Sequence, residues 1–190
     1  MRDIQRRACA MVFFLIFLHP LSSWGAEKNN YLLLKGGTYT FMDSLKDANL
    51  ATGFDGELAY GRYILPNLVL EGATGYFHDG VNKGYGNDVK GIPVTLTAKG
   101  VYPIKDFEPF VGAGIGVYFT KFHGKVKGTV NDVSRTIPGG HVVIGSYYNF
   151  TQSLFAGVEG KYIFTEKADF GTLRTSLNGF TATATFGYRF

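Results

Sequence analysis

Apolar and polar side chains alternate one by one along much of this chain, and the C-terminal stretch shows it best. Phe180, Ala182, Ala184, Phe186, Tyr188 and Phe190 fall on one parity; Thr181, Thr183, Thr185, Gly187 and Arg189 fall on the other. A period of two marks a β-strand. Seven further segments alternate in the same way: 31–41, 53–64, 68–78, 93–102, 108–122, 140–149 and 153–165, with the last strand running over 176–190. Each has roughly the ten residues that a tilted membrane strand needs. No stretch longer than about ten residues carries a glycine-free apolar period of 3.6. The 26 glycines are poor helix composition.

The connections alternate in length. Segments 65–67, 103–107 and 150–152 are short, whereas 42–52, 79–92, 123–139 and 166–175 are long and rich in Gly, Asn, Asp and Lys. Strict alternation of short and long means a meander with every short turn at one end. The expected fold is all-β: an eight-stranded antiparallel up-and-down transmembrane β-barrel with short periplasmic turns and long outer loops.

The charges decide which face is inside. Lys35, Asp55, Glu57, Glu71, Lys99, Glu159, Lys161 and Arg189 all share the polar parity. A Lys or Arg facing lipid at mid-depth costs about 2–4 kcal/mol. Opposite charges facing one another across a narrow lumen can pair. The apolar parity is therefore expected outside and the eight charges inside, as a lumen network. A soluble ligand-carrying barrel would be the reverse. The sixth strand is ambiguous, because His141, Val143, Gly145 and Tyr147 are hardly more polar than Val142, Ile144, Ser146 and Tyr148. Gly112, Gly114 and Gly116 share the inner parity and make room in a barrel whose interior is only just wide enough for side chains. Tyr31, Tyr60, Tyr76, Tyr102, Tyr148, Tyr162, Tyr188 and Phe190 lie near strand ends, where interface aromatics belong.

Residues 1–26 read differently. Arg2, Arg6 and Arg7 precede the apolar run 12–21, and Ser23-Trp24-Gly25-Ala26 offers small residues for cleavage. This is the form of a secretory signal, with a greasy run too short to span a bilayer. The expected organisation is a signal peptide, 1–26, and a barrel domain, 27–190. Cys9 and Trp24, the one cysteine and the one tryptophan, both lie in the signal, so no disulfide is expected in the barrel. The net charge of +4 falls to +2 without the signal, which carries three Arg and Asp3. Nucleic acid is not an expected partner.

The signal segment, the eight strands, Pro109-Phe-Val-Gly-Ala-Gly-Ile-Gly-Val-Tyr118 and the terminal Gly187-Tyr-Arg-Phe190 resemble the small outer-membrane barrels of Gram-negative bacteria, of the OmpX, OmpW and OmpA-barrel type. The resemblance covers essentially the whole of 27–190. It implies residence in the outer membrane among lipid and lipopolysaccharide. It also implies that Tyr188 and Phe190 form the terminal signal read by the barrel-assembly machinery, although the glycine usual in that signal is Thr185 here. Architecture follows from such a resemblance far better than function does, because the group includes structural, adhesive, transporting and enzymatic members.

Little catalytic chemistry is legible. Lipid A deacylases, which share this kind of barrel, use an outward His-x-Ser pair. Here His141 is followed by Val142 and Val143, and Ser146 lies on the opposite parity. Residues five apart on a strand are about 16 Å apart, beyond the hydrogen-bond reach a nucleophile needs from its base. No enzyme, no cofactor and no metal site is expected. The expected function is structural or surface-interacting, with a charge-filled narrow lumen and surface ligands met at loops 42–52, 79–92, 123–139 and 166–175. The alternative is transport of small solutes or hydrophobic compounds, like the OmpW type, and a lipid-modifying enzyme is the least favoured reading. In the third long loop and beside it, Lys121, His123, Lys125, Lys127 and Arg135 against Asp132 could meet lipopolysaccharide phosphates or simply be solvated.

Overall fold

The structure, a computed structural model, describes residues 29–42, 52–79, 88–126, 129–166, 168–170 and 173–190. The expected signal segment lies outside the described residues. The strands are β1 (Asn30–Phe41), β2 (Thr52–Leu65), β3 (Leu68–Asp79), β4 (Asp88–Val101), β5 (Phe107–Val126), β6 (Thr129–Asn149), β7 (Leu154–Thr165), β8 (Ala168–Phe170), β9 (Leu173–Thr175) and β10 (Gly179–Arg189). Eight of them close a barrel in the order β1-β10-β7-β6-β5-β4-β3-β2, and β8 and β9 form a separate hairpin. Every neighbouring pair is antiparallel. This is the fold the alternation predicts.

Closure is continuous. β1 and β10 pair from Tyr31↔Arg189 to Phe41↔Gly179. The ladder runs one step further, where Phe190 N donates to Asn30 O at 2.8 Å. In hydrocarbon an open edge would leave backbone N–H and C=O groups without partners. Here none of the eight barrel strands presents a free edge at membrane depth.

The side-chain polarity is inverted relative to a soluble protein. Val111, Ile115, Ile144, Val158 and Phe186 point outward, and Ile115 is 69% exposed. Lys35, Asp55, Glu57, Glu71, Lys99, Glu159 and Lys161 are buried inside. β6 places His141, Val143 and Tyr147 within and Val142, Ile144 and Tyr148 without, which settles its parity.

Four expectations need correction. The segment 123–139 is largely strand, because β5 runs to Val126 and β6 starts at Thr129. The β5–β6 hairpin therefore projects as a ribbon beyond β7, which ends at Thr165 opposite Gly139. Pro138 is tolerated there: its carbonyl faces β7 and accepts Glu166 N at 3.5 Å, so the missing N–H falls where β7 has ended. Likewise 88–92 belongs to β4, and 166–175 contains the β8–β9 hairpin. Finally, Tyr31 is no interface aromatic; it is 1% exposed and lies inside.

Six of the inner glycines lie opposite a ring. Tyr31 pairs across the ladder with Gly61, Phe155 with Gly187, Phe77 with Gly91, His141 with Gly114, Phe110 with Gly145 and Tyr147 with Gly157. In each case the ring lies over its partner glycine. A Cβ added at Gly61 would stand 2.0 Å from Tyr31 Cζ, and one at Gly187 would stand 2.2 Å from Phe155 Cζ. The ring covers the bare backbone, and the glycine lets the ring lie flat against the wall.

Candidate functional site: the lumen

Three layers fill the axis. Towards the short turns lie Tyr31, Leu33, Val69, Val101, Phe110, Val143, Tyr147 and Phe155, a packed apolar cluster. Tyr31 meets Phe155 edge-on at 5.6 Å, and Tyr147 meets Phe110 at 4.5 Å between ring centres. Towards the loops lie Tyr39, Phe77, Val89, Tyr118, Ile137, Ile163 and Leu177, all buried. Tyr39 stacks on Phe77 at 5.3 Å, and its hydroxyl donates to the Leu177 carbonyl. Seven of the eight expected charges, all but Arg189, sit between these two layers.

The central charges form a closed ring. Lys35 Nζ lies 2.8 Å from Glu71 Oε1 and 2.8 Å from Glu159 Oε1. Lys99 Nζ lies 2.8 Å from Glu71 Oε2 and 2.7 Å from Glu159 Oε2. Each lysine bridges both glutamates, and each glutamate bridges both lysines. The four residues come from β1, β3, β4 and β7, so the ring spans the bore rather than following one wall. Lys99 also donates to the Tyr147 hydroxyl at 3.0 Å, and the Tyr31 hydroxyl donates to Glu71 Oε2 at 2.6 Å. Lys161 Nζ meets Glu57 Oε1 at 2.5 Å, and Lys35 reaches Glu57 Oε2 at 3.7 Å. Buried ions repay their desolvation only with this density of partners.

Asp55 stands apart. It is 2% exposed, and its Oδ2 has no hydrogen-bond partner. The central cluster thus holds three ammonium groups, Lys35, Lys99 and Lys161, against four carboxylates, Asp55, Glu57, Glu71 and Glu159.

Arg189 belongs to a different cluster. It does not reach the ring. Its Nη2 donates to Glu108 Oε2 at 2.9 Å and to the Tyr63 hydroxyl at 3.3 Å, and its Nη1 donates to Asn149 Oδ1 at 3.3 Å. Asn149 Nδ2 donates to Glu108 Oε1 at 2.8 Å. The guanidinium also lies 4.8 Å over the Phe155 ring. These residues sit at the turn end, below the apolar cluster. The single eight-charge network expected from parity is therefore two clusters at two depths. Glu108 was missed. It is the second residue of β5, on the inner parity two positions before Phe110, and that parity is the signal that marks it.

His141 is 0% exposed and faces the lumen, where its Nε2 and Thr97 Oγ1 share a hydrogen bond of 2.8 Å. Ser146 Oγ instead donates to the Tyr147 carbonyl at 3.4 Å. The two do not meet, and His141 has no access to the lipid face. Among the described residues, no group of His, Cys, Asp and Glu could hold a metal ion. Tyr188 and Phe190 point outward at the turn end with rings stacked at 6.3 Å, and Tyr188 is 52% exposed.

Solved structures share the architecture. Neisserial surface protein A aligns at a TM-score of 0.68 and 16% identity, over 88% of this chain and 100% of its own. The outer membrane protein OprG of Pseudomonas aeruginosa aligns at 0.58 and 14%, over 86% and 97%. The N-terminal β-barrel domain of OprF from the same organism aligns at 0.56 and 17%, over 85% and 98%. At these identities the likeness concerns the fold. No curated protein matches the chain. The sequence itself carries the assignment, since residues 10–190 match the outer membrane protein beta-barrel domain, and the chain belongs to that family of outer-membrane barrels.

Proposed function

We propose that this barrel is an outer-membrane anchor with a structurally sealed lumen, and that its outward work is done at the loop end. The observation that carries this is the Lys35–Glu71–Lys99–Glu159 ring, closed by four contacts of 2.7–2.8 Å across the bore. Apolar layers above and below shield it from water, which strengthens the pairs. Conduction needs sites that an ion can enter and leave; here every ring position is held by a covalently tethered partner. The β5–β6 ribbon and the β8–β9 hairpin are the structured parts of the loop end that a surface partner would meet. The fold relatives include the attachment invasion locus protein of Yersinia pestis, aligned at a TM-score of 0.55 and 14% identity. Its name is in keeping with a surface role but assigns none here.

Two roles accompany this reading. Residues 1–26 serve as the cleaved export signal, and Tyr188 with Phe190 is presented to the barrel-assembly machinery. The proposal assigns no catalysis, since His141 is committed to Thr97 inside the barrel. Transport of the OmpW kind requires the ring to part. The test is a planar-bilayer recording, paired with swelling of vesicles in small sugars and amino acids. The reading expects no current steps and no swelling above empty vesicles. Steady single-channel steps, lost when Lys99 and Glu71 are exchanged, would replace it with the transport reading.

A further inference from the structure

The charges of the central cluster do not balance, and the excess is one carboxylate. Lys35, Lys99 and Lys161 stand against Asp55, Glu57, Glu71 and Glu159, and all seven are buried. Glu71 and Glu159 each hold both ring lysines, and Glu57 holds Lys161. Asp55 enters none of these ion pairs, and its Oδ2 accepts no hydrogen bond. The groups around it come from several strands. Its own strand β2 contributes Glu57, β7 contributes Lys161 and Glu159, and β1 contributes Lys35 and Tyr39. β5 contributes Tyr118, which is 2% exposed and whose hydroxyl is likewise without a partner. β6 brings His141 near Glu57 and Lys161. β3 places Phe77 opposite Asp55, and β10 places Thr183 opposite Gly37, the other ladder neighbour of Asp55.

Burial makes an uncompensated carboxylate costly here. Asp55 is 2% exposed, and the stacked Tyr39 and Phe77 rings stand beside it in the apolar layer of the loop end. An isolated ionised carboxylate in such surroundings neutralises instead. A metal ion would need a set of donors, and among the described residues no group of His, Cys, Asp and Glu could hold one. A proton needs only the unused oxygen. With Asp55 neutral, three carboxylates meet three ammonium groups, and each of the three carboxylates keeps its lysine.

We propose that Asp55 is a proton-binding site of the lumen: it carries the proton that balances the central cluster, and loss of that proton loosens the loop-end half of the plug. This rests on the sealed lumen, because water in an open bore would itself compensate the charge. An ionised Asp55 competes with Glu57 for Lys161, which interacts with both. The sign of the pH dependence follows. In the unfolded chain an aspartate gives up its proton near about pH 4, whereas the folded barrel keeps it. The folded state then binds one proton more than the unfolded state, so stability falls as pH rises. The fall is about tenfold in the folding constant per pH unit, until the proton leaves the folded barrel.

Two measurements test this on the folded barrel in phosphatidylcholine vesicles. The first is infrared spectroscopy of protein carrying a heavy carbon isotope in its aspartate carboxyls. At neutral pH the wild type is expected to show a protonated-carboxyl band that shifts with the aspartate label and not with a glutamate label. Asp55→Asn is expected to lose that band. The second is urea unfolding of wild type and Asp55→Asn across pH. Every other titrating group is common to both, so the ratio of their folding constants isolates Asp55. It is expected to move in favour of the variant by about tenfold per pH unit above about pH 5. The absence of an aspartic-acid band, a band that follows the glutamate label, or parallel pH curves would overturn the proposal. So would an unfolding midpoint that rises with sodium at constant ionic strength in wild type alone, which would place a cation at Asp55. A silent bilayer recording with no band refutes the proton site alone, whereas current steps refute the sealed lumen whatever the spectrum shows.

Discussion

Replacing Lys99 by Met tests whether the ring is a stabilising plug. Methionine keeps the unbranched stem and its packing beneath Phe110, whose ring lies 4.6 Å from Nζ, but removes the ammonium group. Contacts to Glu71, Glu159 and Tyr147 are lost at 2.8, 2.7 and 3.0 Å. Glu71 keeps Lys35 and Tyr31, and Glu159 keeps only Lys35 among the ring contacts. Two buried carboxylates then share one ammonium group. Removing one member of a buried ion pair costs about 3–5 kcal/mol. The expected destabilisation is in that range, read by urea unfolding in phospholipid vesicles with the gel shift between folded and unfolded barrel. Lys99→Met/Glu71→Gln removes the surplus charge as well and should recover at least about 1 kcal/mol of the sum of the two single losses. A single-variant loss below about 1 kcal/mol with additive singles would refute the reasoning, since the ring would then carry no cooperative energy.

Asp55→Asn should behave oppositely to the ring variants: its Oδ2 has no partner and the cluster already holds one carboxylate too many. The expected change is a loss under about 1 kcal/mol or a gain in the same urea assay, against a loss of several for Glu71→Gln. Gly187→Ala should destabilise by about 1–3 kcal/mol, because the new methyl would lie 2.2 Å from Phe155 Cζ, and Phe155→Leu should relieve part of that loss. Lys105→Gly should stabilise by up to about 1 kcal/mol, because Lys105 holds φ at 56° in the tight turn closed by Ile104 and Phe107; an unchanged unfolding midpoint would contradict it.

The sequence carried the architecture because lipid imposes a simple rule on strands. A charge facing lipid is costly through the middle of the apolar band, so the polar parity of β2, β4, β5, β7 and β10 could be read residue by residue. β6 could not, because Val143 and Tyr147 inside are as apolar as Val142 and Tyr148 outside. Nor could the β5–β6 ribbon. Pro138 and Gly139 look like loop residues in isolation. In the fold, Gly140 lies against the Phe164 ring, Gly139 against Thr165, and Pro138 occupies an edge. The pairing of the lumen charges was beyond reach for a different reason. Lys35 and Glu159 are 124 residues apart and meet only through closure, and Lys161 chooses Glu57 over 104 residues. Parity says that a charge is inside, but not at which depth. Arg189 shows the difference, since it ends with Glu108 at the turn end.

Reductive methylation of the lysines of the folded barrel in vesicles, located by mass spectrometry, examines the sealed lumen most directly. Lys105 and Lys121 are exposed and should react, whereas Lys35, Lys99 and Lys161 are 6%, 1% and 3% exposed and should stay unmodified until the barrel is unfolded. Methylation of Lys99 at the rate of Lys121 in the folded protein would mean that water and reagent reach the axis, and the ring would not be the plug described here.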